Sequence, residues 1–309
     1  MEKAHAYGLS VMMWDDMFTG SYHPLDGQAV SIPDGAQLVY WDYYHEKPDE
    51  YAQNFAFRRG LCSDLVFAGG AWRWEGPAPH HNKTLVTTES ALQEAKKSGL
   101  QEVMVTSWGD DGSECPPDAS YLGMQLFAEH TFSPTVSREQ LNERLTFCTG
   151  LSLSSMLAQQ NVTRLPGHEQ DTAAYTLYKT LLYQDPLCGL YEEHVRSLKN
   201  RYDLTAYYDT CAKAIHEEDY AHASPTLQAS AAYYRALCLA LSKKWDLGLR
   251  LLDAYRAGDR TELRRLAGEA LPAAHQAMET LRLCAETMWI QNYKPFGLEV
   301  LTLRLAAVS

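Results

Sequence analysis

Four short apolar runs in the first third of the chain each end in tryptophan beside carboxylates or other polar groups. They read Ser10-Val11-Met12-Met13-Trp14-Asp15-Asp16, Leu38-Val39-Tyr40-Trp41-Asp42-Tyr43-Tyr44, Leu65-Val66-Phe67-Ala68-Gly69-Gly70-Ala71-Trp72-Arg73-Trp74-Glu75 and Val103-Met104-Val105-Thr106-Ser107-Trp108-Gly109-Asp110-Asp111. The runs recur about every thirty residues, the length of a strand, its helix and two loops. That spacing implies an α/β fold with parallel strands whose C-terminal ends, tryptophans and acids included, gather at one edge. A (β/α)8 TIM barrel needs eight such units, and only about four are legible. Residues 1–133 therefore read as the second half of a barrel, strands five to eight.

Beyond Ser133-Pro134 the strand signals cease. Stretches 137–160, 169–184, 187–220, 225–257 and 260–290 read as helices, broken at Pro166-Gly167, Asp185-Pro186, Ser224-Pro225 and Gly258. An all-α helical domain over 134–309 is the simple reading. Within the first part, Pro48-Asp49-Glu50 opens a helix that Gly60 stops, Glu89–Lys97 reads as a second, and Tyr121–His130 as a third. The connection from Met17 to Ala36 reads as a long loop at the mouth of the site. The tail Tyr293–Val300 leaves the helical pattern and reads as a turn and a strand.

The net charge of −12 leaves nothing basic to neutralise a nucleic-acid backbone. No run of eighteen apolar residues exists, so no membrane partner is expected. Met1-Glu2-Lys3-Ala4-His5 lacks the layout of a signal peptide. Seven scattered cysteines with no Cys-x-x-Cys pair fit a reduced, cytoplasmic protein. There is no phosphate loop, dinucleotide fingerprint or nucleophile elbow, and no cofactor is expected.

Each run has a plain alternative. Trp14-Asp15-Asp16 reads equally as a buried tryptophan beside a helix-capping aspartate. Trp41-Asp42-Tyr43-Tyr44-His45 reads as core packing plus a solvated loop. If the third strand continues, Trp72 and Trp74 share one face, and Arg73 and Glu75 pair on the other. His80-His81 read as exposed loop histidines, because no third ligand has zinc-like spacing. The fourth run is the most specific. Asp110, Asp111 and Glu114 crowd after an apolar strand, and ionised neighbours repel unless something offsets the cost. A calcium loop would use them, but the EF-hand spacing is not met and the tryptophan has no role in one. A sugar clamp uses both groups: the indole covers the C–H face of a pyranose and the acid accepts its hydroxyl protons.

At these runs the chain resembles glycoside hydrolase family 20, the β-N-acetylhexosaminidases, and above all the bacterial subgroup with a helical domain after the barrel. The matching residues are Met13–Phe18, Tyr40–Tyr44, Phe67–Trp74 and Thr106–Gly112. In the helical part, Leu181–Leu187 and Asn292–Gly297 match as well. The resemblance implies hydrolysis of terminal N-acetylhexosamine with retention. In the family the 2-acetamido oxygen of the substrate attacks the anomeric carbon, a Glu protonates the leaving oxygen, and an adjacent Asp orients the acetamide. Carried over by motif, Trp14, Trp41 and Trp108 are pocket walls, and Trp72 or Trp74 closes another side. Tyr43 or Tyr44 stands in for the family's acetamide tyrosine, and Asp110 holds the outer hydroxyls.

The family's Asp-Glu pair belongs on the strand before the Trp14 run, upstream of Met1, so no catalytic residue is assigned. The expectation is a truncated form, inactive alone, whose partners are N-acetylglucosamine- or N-acetylgalactosamine-terminated glycans. Its open sheet edges favour dimerisation or aggregation. The alternatives are a non-catalytic carbohydrate-binding or scaffold protein, and a glycosidase of another family using Asp16 and Asp110.

Overall fold

The computed structural model describes residues 1–19 and 31–307. Most of the loop expected between Met17 and Ala36 lies outside the described residues. The apolar runs form β1 (Val11–Trp14), β2 (Ala36–Trp41), β3 (Leu65–Gly70) and β4 (Glu102–Thr106). They make one parallel sheet in the order β1-β2-β3-β4. The register sets Trp14 beside Val39, Trp41 beside Ala68 and Gly70 beside Thr106.

The helices are α1 (Glu2–Ala6), α2 (Asp16–Thr19), α3 (Pro48–Arg59), α4 (His81–Lys97), α5 (Tyr121–Phe132), α6 (Arg138–Thr149), α7 (Leu153–Ala158), α8 (Leu177–Tyr183), α9 (Glu192–Lys199), α10 (Leu204–Ala214), α11 (Pro225–Lys244), α12 (Leu247–Ala257), α13 (Arg260–Arg265), α14 (Leu271–Asn292) and α15 (Leu298–Ala306). The fold is thus a small parallel sheet with its helices, followed by a long helical portion. Among the described residues no helix is long and apolar enough to cross a membrane, and all seven cysteines are free thiols.

The chain divides into two compact units. The first holds Met1–Trp72, Lys83–Ser107 and Gly123–Leu141, and the second Arg73–Asn82, Trp108–Leu122 and Asn142–Ser309. In the first unit the strand period of two sorts the side chains. Leu38, Tyr40, Leu65 and Phe67 face the helices, where Tyr51 and Phe55 of α3, Leu92 of α4 and Phe127 of α5 complete a core. Val39, Val66 and Ala68 face the other way, with Trp41 and Met104 against them. The ring of Phe127 lies so close to Gly69 that a Cβ there would sit 2.7 Å from it. In the second unit α11 is the central helix, with Leu227, Tyr233, Tyr234, Leu237, Cys238 and Leu241 all buried. Its start follows from sequence: Ser224 Oγ accepts the Leu227 N–H and Pro225 occupies the first turn.

Several sequence expectations need correction. The tail does turn, at Gly297 with φ +94°, but then forms helix α15 rather than a strand. Leu301 and Leu305, four apart, are its buried residues, and that helical spacing outweighs the alternating look of the run. The expected helices 137–160, 187–220 and 225–257 each divide into two α-helices, whereas 260–290 is helical throughout with one irregularity. A π-turn over Leu266–Ala270 precedes Pro272, whose missing N–H and bulky ring a regular helix does not accommodate. Helix α4 begins at His81, eight residues before the expected start at Glu89. β3 stops at Gly70, so Trp72, Arg73, Trp74 and Glu75 do not alternate across a strand.

Candidate functional site

In the first unit the strand ends are fixed by buried polar groups. Asp15, next after β1, is buried and ion-paired with Arg58 of α3, whose guanidinium lies 3.6 Å from the Tyr40 ring centroid. The Asp15 carboxylate also takes the Trp41 N–H, which ties the ends of β1 and β2 together. Burial pushes its pKa up, against the lowering by Arg58. Trp14 is left 40 % exposed at the strand end. Asp42 holds the next turn: its carboxylate accepts from the Tyr40 hydroxyl and from the Tyr44 and His45 N–H groups, and pairs with His45 Nδ1.

The turn so fixed stacks Tyr43 on Trp41, centroids 5.3 Å apart. Trp72 is only 2 % exposed and spends its indole N–H on the Tyr43 carbonyl at 2.9 Å. Its ring meets Tyr44 edge-on, and Tyr44 is exposed. Of the expected site residues, Trp41, Tyr43 and Trp72 thus form one aromatic group, with Tyr44 as its outermost ring. Trp14 belongs to the same unit.

The second unit contains Trp74, Trp108 and Asp110. Trp74 is buried, and Trp108 is 39 % exposed. The acid cluster after β4 is not uniform. Asp111 is paired with Lys179 of α8, and buried Glu114 with Arg304 of α15. Burial raises the Glu114 pKa, and Arg304 lowers it in part. Asp110 is exposed and, among the described residues, no cation pairs with it. The repulsion expected from three crowded acids is therefore relieved by two cations from the helical portion. No group of His, Cys, Asp and Glu suited to a metal ion occurs among the described residues.

Two sequence readings fail here. Arg73 does not pair with Glu75. It is buried and donates to the carbonyls of Trp108, Cys115 and Pro116 and to the Tyr293 hydroxyl. His80 and His81 are not exposed loop residues: they are 0 % and 1 % exposed. Burial drives His80 down to about 3 and His81 to about 4, with Arg164 adding to both effects.

A family model described as the glycoside hydrolase 20C C-terminal domain matches residues 155–309. The chain belongs to glycoside hydrolase family 20. No curated protein matches it. The match falls on the helical portion, the part that supplies Lys179, Arg304 and Tyr293 to the loop after β4. In this member of glycoside hydrolase family 20, sequence reasoning missed Arg58, Arg73 and Arg304. Their partners are backbone carbonyls or acids many residues distant, and nothing in local sequence signals such pairings.

Proposed function

We propose that the protein is a β-N-acetylhexosaminidase-type exo-glycosidase acting on glycans that end in N-acetylglucosamine or N-acetylgalactosamine. In this reading each unit contributes its own sugar-recognition residues: Trp14, Trp41 and Tyr43 in the first, with Trp72 buttressing Tyr43 from behind, and Trp108 with Asp110, the outer-hydroxyl clamp, in the second, which also holds the buried Trp74. The carrying observation is the state of Asp110. Its two acidic neighbours are neutralised by Lys179 and Arg304, while its own carboxylate stays exposed, two residues after a partly exposed tryptophan. A carboxylate accepts from two vicinal hydroxyls, and an indole face covers the C–H face of the same ring. The reaction follows the substrate-assisted course, with the 2-acetamido oxygen as nucleophile. No residue described here is assigned as the acid that protonates the leaving oxygen, so recognition is the property to measure first.

Titrating the protein with N-acetylglucosamine, followed by tryptophan fluorescence, should give a saturable change. Asp110→Asn should weaken binding about tenfold, the loss expected for a charge-assisted hydrogen bond. Where turnover of an aryl N-acetylglucosaminide is measurable, the same change should slow it by roughly two orders of magnitude, since misplacement of the sugar adds to the lost bond. Full affinity in Asp110→Asn would remove the clamp. A calcium-dependent fluorescence change abolished by chelator would assign the acidic loop to a cation instead.

A further inference from the structure

The loop after β4 is held in a shape its backbone does not favour. Asp111, Gly112 and Ser113 have φ of +57°, +85° and +56° in succession. Two of these are not glycine, and L-residues enter that region at a cost. Gly109 is equally constrained, because a Cβ there would lie 2.4 Å from Ser113 Oγ. The Ser113 N–H and hydroxyl both bond back to the Gly109 carbonyl, at 3.0 and 3.1 Å. These local bonds close the tip but anchor it to nothing.

Lys179 and Arg304 hold Asp111 and Glu114 within the loop, and Arg304 also donates to the Asp111 carbonyl, while the two ends are anchored by Arg73. Its Nη1 donates to the Trp108 carbonyl at 2.9 Å, its Nη2 to the Cys115 carbonyl at 2.6 Å, and its Nε to the Pro116 carbonyl at 3.3 Å. Nη2 also donates to the Tyr293 hydroxyl at 2.7 Å, and that hydroxyl bonds in turn with Ser113. One buried side chain thus grips the loop at its entry and at its exit. We infer that Arg73 is the positioning residue of the sugar clamp, setting Asp110 by fastening both ends of the Trp108–Pro116 loop, a role that rests on Asp110 being the clamp proposed above. Every direct acceptor of the guanidinium is neutral, so its contribution is the planar fork rather than its charge. A lysine ammonium has the charge without the fork and does not span acceptors spread in this way.

The test has two arms. In the sugar-free protein, amide hydrogen exchange over Gly109–Ser113 should be about tenfold faster in Arg73→Lys, with α11 and α14 unchanged. In the second arm, wild type should prefer N-acetylglucosamine over its 4,6-dideoxy analogue, because only the former offers the outer hydroxyls. Arg73→Lys should bring the two affinities to within about twofold. Tyr293→Phe, which leaves the guanidinium in place, should fall between the two proteins in both arms, and it carries the test if Arg73→Lys does not fold. Wild-type exchange and wild-type preference in both variants would overturn the inference. So would an equal loss of affinity for both sugars, which marks a merely structural residue. If wild type binds neither sugar, the Asp110 reading fails, and faster exchange in Arg73→Lys then leaves the arginine a loop anchor only.

Discussion

Asp15 and Asp110 are both acids just past a tryptophan at a strand end, yet their surroundings give them opposite work. Asp15 is 1 % exposed and spends its charge on Arg58, itself 7 % exposed. A buried pair gains little over an apolar replacement, but breaking one strands the other charge. Asp15→Asn should therefore destabilise the first unit by about 3 kcal/mol, since it leaves Arg58 without its anion. Urea unfolding followed by tryptophan fluorescence measures this, and a loss below about 1 kcal/mol would mean that Arg58 finds water instead. Asp110 carries no such structural load among the described residues. Asp110→Asn should leave the unfolding midpoint unchanged while weakening sugar binding, which separates binding from stability within one motif.

Elements were more legible than contacts. The four tryptophan runs became four strands in chain order, because apolar runs of that length followed by turn residues fit little else. Helix α3 kept its Pro48 start and Gly60 stop for the same reason of strong local signals. The tail Tyr293–Val300 reads as a turn and a strand, but its last residues open helix α15, because the buried Leu301 and Leu305 that pack the helix lie beyond the run that was legible. For the candidate site, residue types were readable and partners were not. Trp72-Arg73-Trp74-Glu75 looks like an alternating strand until β3 ends at Gly70. Helix α5 shows how tightly packing then limits sequence. A Cβ at Gly123 would lie 2.7 Å from Ala71 Cβ and 3.1 Å from Thr84 Cγ2. Glycine within a helix normally costs about 1 kcal/mol relative to alanine. Here Gly123→Ala should instead destabilise by roughly 1–3 kcal/mol, because the helix must back away from rigid neighbours. A raised melting temperature in that variant would contradict the packing.

At the scale of the whole molecule, the buried titratable groups set how the fold responds to acid. His80 and His81 are held near 3 and 4 by burial, and His130 near 4 by burial and the neighbouring Lys96. Their folded values lie below the ordinary 6.5, so the unfolded chain takes up protons first as pH falls. The stability they contribute is present above about pH 6.5 and is lost as pH drops toward 4. Asp118 works in the opposite sense. Its carboxyl, buried and bonded to the Ser230 hydroxyl, is raised to about 6. The folded state then keeps a proton that the unfolded state releases near 3.8, so its stabilisation is full below about pH 4 and is lost as pH rises through 6. The raised carboxyls of Asp15, Glu89 and Glu114 act in the same sense as Asp118, but the histidines' limb begins at higher pH. Stability should therefore fall between pH 8 and pH 5, by about 2 kcal/mol for each of His80 and His81, offset by about 1 kcal/mol from Asp118. His81→Gln, which can still reach Gln159, should flatten that limb by one histidine's share. Asp118→Asn, which still accepts the Ser230 proton, should steepen it. Urea unfolding at a series of pH values reads both slopes, and an unchanged slope in His81→Gln would mean that this histidine is not held neutral in the folded protein.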